Sequence, residues 1–185
     1  GVPNLLLYTG SAGLALANNS SNAGNYGSAS GGTAVADTDF TLSFWYYTHT
    51  PANNTQFQFL RGTDIKHQVV MQDDVTVRYA NDAGSHDTAE FNTDLYNSDP
   101  EWKHIVIHFD VNNLTTGVPK LWVNGTEKTS TGYSAIGGSA TSLDKIKVIV
   151  SNENRMQDIV FWSGLMPQSA IDELYGKGNW TNPAL

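Results

Sequence analysis

Phe40-Thr41-Leu42-Ser43-Phe44-Trp45-Tyr46-Tyr47 is the stretch that decides the fold. Side chains alternate across a β-strand, so Phe40, Leu42, Phe44 and Tyr46 share one face. Trp45 and Tyr47 make the other face apolar as well. A strand that is apolar on both faces is covered on both, which predicts a central position in a sheet.

Moving outward, the same period recurs. Pro51-Ala52-Asn53-Asn54 reads as a turn, and Phe57 and Phe59 then alternate with Gln56 and Gln58 in a half-buried strand. His67 to Gln72 and Val75 to Ala80 flank Asp73-Asp74, which predicts a hairpin with a two-residue turn. Thr88 to Asn92 is a shorter strand. Trp102 to Asp110 sets Trp102, His104, Val106 and His108 against Lys103, Ile105, Ile107 and Phe109. Lys120 to Thr126 contains Asn124-Gly125, a strong hairpin signal because both turn residues need positive φ. Lys145 to Ser151 and Met156 to Ser163 are two further strands, and Leu5 to Tyr8 and Leu14 to Ala17 are two short ones.

Two segments break the pattern. Residues 18–33 are rich in Gly, Ser and Asn with Tyr26 as the lone aromatic, and read as a long surface loop or arm. Between Leu165 and Gly176 the period becomes helical. Pro167 sits at the start, Ile171, Leu174 and Tyr175 share a face, and Gly176 is expected to stop the helix. Many short strands and one late helix predict an all-β fold. The expected form is a two-sheet antiparallel jelly-roll sandwich with a short C-terminal helix, one domain over residues 1–185.

Composition narrows the function classes. The 185 residues carry 10 Lys+Arg against 18 Asp+Glu, a net charge of −8, which disfavours nucleic acid as a ligand. No apolar run reaches the ~20 residues of a membrane helix, so no membrane insertion is expected. The absence of Cys removes disulfides, thiolate metal sites and cysteine nucleophiles. Only 15% of residues are charged, so surface polarity comes from Asn, Thr, Ser and Gly. Such a surface suits uncharged polar ligands such as sugars, or packing beside copies of the same chain. Gly1-Val2-Pro3 opens the sequence without Met, as a processed or excised chain would.

Four segments in series carry a family resemblance. They are Asp39 to Trp45, Glu101 to Ile107 with its Trp-x-His pattern, Lys120 to Gly125 with Leu121-Trp122-Val123-Asn124-Gly125, and Gln157 to Trp162 leading into Leu165, Ile171 and Leu174-Tyr175. Together they resemble the laminin-G-like branch of the concanavalin A-like lectin/glucanase superfamily. Leu174 to Pro183 also resembles the ends of laminin-G-like domains in marine phage structural proteins. The resemblance implies a scaffold role for the core aromatics. Phe40, Leu42, Phe44, Trp45, Trp102, His104, Val106, Leu121, Trp122, Val123 and Phe161 are the expected core. It also implies a calcium ligand at Asp158, although Asn18 and Asn19 stand where the family has an acidic partner.

Catalytic patterns are missing from the sequence. Glycoside hydrolysis needs two carboxylates about 5–9 Å apart. The family's hydrolases place them in a Glu-x-Asp-x-x-Glu strand, and Glu90, Glu101, Glu127, Glu153 and Glu173 have no partners at that spacing. The lyases' Gln-x-His strand meets Val106 where Gln should precede His108. His104 and His108 lie about 13 Å apart along a strand, too far to share a metal. No enzyme is expected.

Loops carry function more often than core strands do. The sugar-binding candidates are therefore Tyr26, Tyr79, Asn81, Asp82, His86, Tyr96, Tyr133 and Asn154, combining aromatic faces with amides and a carboxylate. The expected role is a non-catalytic carbohydrate-binding or adhesion module at an extracellular, cell or virion surface, with glycan partners and calcium as the candidate ion. The alternative is a virion structural or decoration protein whose partners are neighbouring structural subunits. A polysaccharide hydrolase or lyase ranks last.

Overall fold

The computed structural model describes residues 6–7, 16–17, 24–30, 39–48, 55–81, 84–96, 101–111, 114, 117–133, 136–137, 143, 145–150 and 154–177. These form two antiparallel sheets in a sandwich with one C-terminal helix. The first sheet contains β1 (Leu6–Leu7), β2 (Leu16–Ala17), β4 (Phe40–Tyr47), β9 (Trp102–Phe109), β10 (Lys120–Val123), β11 (Thr126–Lys128) and β14 (Arg155–Ser163). The second contains β3 (Gly24–Ser30), β5 (Thr55–Arg61), β6 (Asp64–Met71), β7 (Val75–Ala80), β8 (His86–Phe91), β12 (Ser130–Thr131) and β13 (Lys145–Val150).

Strand β4 is central, as its two apolar faces require. It pairs with β14 on one side and β9 on the other, and all eight of its residues are buried. Phe40, Leu42, Phe44 and Tyr46 enter the core between the sheets. The opposite face of β4 carries Trp45, which lies 5.2 Å from His104 and 6.1 Å from Tyr175, ring to ring. A smaller core of Val106, Trp122, Met166 and Ile171 fills the space between this face of the sheet and α1 (Gln168–Lys177). Most of the expected core residues are buried; Trp102 and Phe161 are half-buried, against Tyr47 and Phe59 respectively.

The Asn124-Gly125 turn forms as expected, with φ of 52° and 77°. Asn124 does more than turn the chain: its Oδ1 accepts the His104 N–H at 2.9 Å and its own N–H donates to the His104 carbonyl at 2.8 Å. The Gln168 amide of α1 donates to the Gly125 carbonyl at 3.0 Å, which ties the helix to this hairpin. Asn124→Ala loses both the side-chain bond and a residue that tolerates the left-handed region. It is expected to destabilise the domain by ~2 kcal/mol in urea denaturation, with Asn124→Gly costing less because glycine keeps the φ.

Three expectations need correction. Residues 24–30 are not loop but β3, an edge strand paired with β13 from Gly24↔Val150 to Ser30↔Lys145. Pairing there is supplied by the backbone, so Gly, Asn and Ser give no alternation to read. The hairpin between β6 and β7 closes on Met71↔Val75 through three residues, Gln72-Asp73-Asp74. Its aspartates are occupied: Asp74 Oδ1 accepts the Thr93 N–H at 3.0 Å, and the Asp73 carbonyl accepts the Leu95 N–H at 2.7 Å. Lastly, α1 begins at Gln168, where the Pro167 carbonyl accepts the first helical N–H groups, and it continues through Gly176 to Lys177. No helix among the described residues is long and apolar enough to cross a membrane.

Candidate functional site

The residues nominated from sequence fall into several environments, and among the described ones only Tyr79 and Tyr133 meet ring to ring. Tyr79 is fully buried; its hydroxyl accepts the Asp110 N–H at 3.0 Å, and burial raises its phenol well above the usual range. Asn81 fastens the following turn, donating to the Gly137 carbonyl at 3.1 Å and accepting the Ser85 N–H at 3.0 Å. Asn154 is fully buried and donates to the Tyr46 hydroxyl at 2.9 Å. Tyr79 faces the interior because β7 alternates inward there, while Asn81 and Asn154, just outside the strand ends, are buried by the hydrogen bonds that fasten their turns, so none of the three is open to a soluble ligand.

Tyr133 is half-buried with its ring edge-on to Tyr79 at 5.8 Å, and burial pushes its phenol up to about 12. Tyr96 is half-buried beside the Asp73 turn, while His86 is exposed at the start of β8. Tyr26 falls within β3, and Asp82 lies outside the described residues. Asp158 is exposed at an irregularity in β14, with φ of 52°. Calcium takes six to eight oxygen ligands. Among the described residues no group of three His, Asp or Glu is placed to hold a metal.

A different set of residues does converge. On β5, Phe57 and Phe59 enter the core, so Gln56 and Gln58 face outward. Core residues Val69 and Met71 on β6 leave Gln68 and Val70 outside, and Val75 and Val77 on β7 leave Thr76 and Arg78 outside. On β13, Val148 packs on the core and Lys147 lies on the other face. Strand register then aligns these side chains. Lys147 pairs with Gln58, Gln58 with Gln68, Gln68 with Arg78, and Arg78 with Thr88. This is one polar row across five strands.

The row is pre-arranged. Gln56 Oε1 accepts the Gln58 amide at 2.9 Å and the Gln68 amide at 2.8 Å. That geometry commits one carbonyl to two donors. It leaves the Gln56 amide group and the Gln58 and Gln68 carbonyls without side-chain partners among the described residues. Gln58 lies low, 9% exposed, while Gln56, Gln68, Arg78 and Lys147 are half-buried. Planar amides fixed side by side offer donors and acceptors to hydroxyl groups without the entropy loss of ordering free side chains. None of these residues was nominated from sequence. The Gln–Phe alternation of β5 was visible there; the register that brings β6, β7 and β13 beside it was not.

One carboxylate pair also emerges from register. Phe40 opposite Phe109 brings the adjoining Asp39 and Asp110 together, and the Asp110 carboxyl is raised by partial burial and by the Asp39 charge. His108, next to Asp110, sits 3.3 Å from the Thr41 hydroxyl, and burial lowers its imidazole.

No protein-family model matches the sequence, and no curated protein does. Solved structures do match in fold. The binding domain of botulinum neurotoxin serotype G aligns at TM-score 0.65 and 13% identity, covering 91% of this chain and 47% of that one. The binding domain of botulinum neurotoxin DC in complex with rat synaptotagmin II aligns at TM-score 0.60 and 13% identity, covering 91% and 48%. A botulinum neurotoxin type C structure, described as depending on two ganglioside molecules for cell entry, aligns at TM-score 0.58 and 15% identity, covering 78% and 37%. The chain thus spans about half or less of the length of these neighbours. At such identities the likeness establishes the β-sandwich fold.

Proposed function

We propose that this chain is a non-catalytic carbohydrate-binding module of laminin-G-like type, acting outside the cell or at its surface. The observation that carries the reading is the amide row on the outer face of the second sheet, with Gln56 orienting Gln58 and Gln68. The neighbours support it at the level of kind: they are binding domains, and one is described with gangliosides as its partners. The sequence supports it through the missing Glu-x-Asp-x-x-Glu strand and the weakly charged surface. The virion assembly block draws no comparable support from these neighbours.

A glycan array probed with the whole chain tests the proposal. Binding to a subset of glycans is expected, and Gln58→Ala with Gln68→Ala should abolish it while the melting temperature stays near wild type. Binding is expected to persist in chelator, because the row offers amide and guanidinium groups that bond hydroxyls without an ion. Absence of binding to every glycan at millimolar concentration would sink the reading.

A further inference from the structure

We infer that the amide row selects acidic oligosaccharides, those carrying a carboxylate or sulfate, over their neutral counterparts. This rests on the carbohydrate-binding reading of the same face.

The argument is one of charge placement. The chain as a whole is acidic, at −8. Yet the amide row is flanked by two cations, Lys147 beside Gln58 and Arg78 beside Gln68. They are three strand steps apart, about 14 Å at ~4.8 Å per step. That span exceeds one pyranose ring, so the row fits an oligosaccharide lying across the strands.

Neither cation has an ion-pair partner among the described residues. The Lys103–Glu101 ion pair, at 3.4 Å, lies on the other sheet, away from this face. The Arg78 Nε is buried and has no hydrogen-bond partner among the described residues. A buried charged donor left unmade costs more than a neutral one, so the guanidinium carries unmet bonding capacity that favours an acid group placed beside it. Guanidinium forks match carboxylate and sulfate oxygens two at a time, while the neighbouring amides are suited to hydroxyls. Among the described strands of this face, Glu90 lies in the adjoining row, opposite Thr76. An arginine with no carboxylate partner among the described residues, in a row whose glutamines Gln58 and Gln68 are held by Gln56, is a mixed site for hydroxyls and one acid group.

The test uses matched pairs of ligands and calorimetric titration of the whole chain. Sialyllactose is compared with lactose, and trigalacturonate with its methyl ester, for carboxylate. A sulfated agaro-oligosaccharide is compared with the unsulfated one for sulfate. The acidic member of at least one pair is expected to bind about 10- to 100-fold more tightly, the range of one charge-assisted contact. Which pair shows the effect identifies the acid group. Arg78→Gln should reduce the acidic ligand to the affinity of the neutral one. Lys147→Gln, at a half-buried position in the same row, should weaken the same preference and guards against misfolding of the arginine variant. Added salt should reduce the preference as well. Equal binding of acidic and neutral members, lost in Gln68→Ala, would overturn acid selection while leaving the carbohydrate reading intact. An acidic preference untouched by both cation variants would place the acid elsewhere and overturn the inference. No binding of any pair would overturn both.

Discussion

Phe109→Ala is expected to lower the free energy of unfolding by about 3–5 kcal/mol. Phe109 closes β9 and is fully buried between the sheets. Its ring stacks on Phe40 at 4.5 Å and meets Phe59 at 5.1 Å and Tyr79 at 5.7 Å. Phe40 belongs to the same sheet, whereas Phe59 and Tyr79 belong to the other. Deleting the ring therefore removes contacts that join the two layers, and it opens a cavity that rigid strands close poorly. Removing the ring also loosens Tyr79, whose hydroxyl holds the Asp110 N–H. Phe109→Leu keeps most of the volume and is expected to lose less than half as much. Urea titration of the two variants checks the order. A midpoint for Phe109→Ala close to wild type would mean the aromatic layer is not the link between the sheets.

The same layer shows what could be read in advance. Phe40 to Tyr47 was legible because both of its faces are apolar, and only a central strand satisfies that. Asn124-Gly125 was legible because few residues tolerate two consecutive positive φ values. β3 was not legible, since a strand held at an edge by backbone bonds needs no apolar alternation. The site was harder still. Tyr79 was nominated as a ligand contact, yet Val75, Val77 and Tyr79 alternate against Thr76 and Arg78, and that pattern already turns the tyrosine inward. Arg78, on the outward side of the same pattern, was passed over because a lone arginine in a strand has no meaning until its neighbours are known. Gln58 and Lys147 are nearly ninety residues apart in sequence, yet directly opposite in the sheet. Register between strands is set by tertiary packing, so a site assembled from cross-strand rows leaves almost no local trace.

Acidification from pH 7 to pH 4 is expected to remove several kcal/mol of stability, through buried histidines rather than carboxylates. His67 is fully buried between Tyr79 and Phe109, and neither ring nitrogen has a hydrogen-bond partner among the described residues. Burial lowers its pKa to about 4. His104, 1% exposed behind Trp45, bonds Ser43 at 2.8 Å through Nε2 but leaves Nδ1 without a partner, and burial brings it to about 4 as well. In the unfolded chain such groups titrate near 6.5. Between these values the unfolded chain takes up protons that the folded one refuses. Stability is therefore complete above about pH 6.5 and falls as pH drops through the window, by about 3 kcal/mol per histidine at pH 4. Asp110 acts in the opposite sense, because its raised carboxyl favours the fold when protonated, so it offsets part of the loss at the acid end. His67→Leu separates the contributions. It removes the titrating group and two orphaned polar atoms while keeping an apolar side chain in the core. The variant should match or exceed wild-type stability at pH 7, and lose about half of the decline between pH 7 and pH 4. Chemical denaturation at several pH values reads both quantities. A wild-type midpoint that does not move between pH 7 and pH 5, or an unchanged slope in the leucine variant, would show that His67 is solvated and not sealed among the aromatic rings.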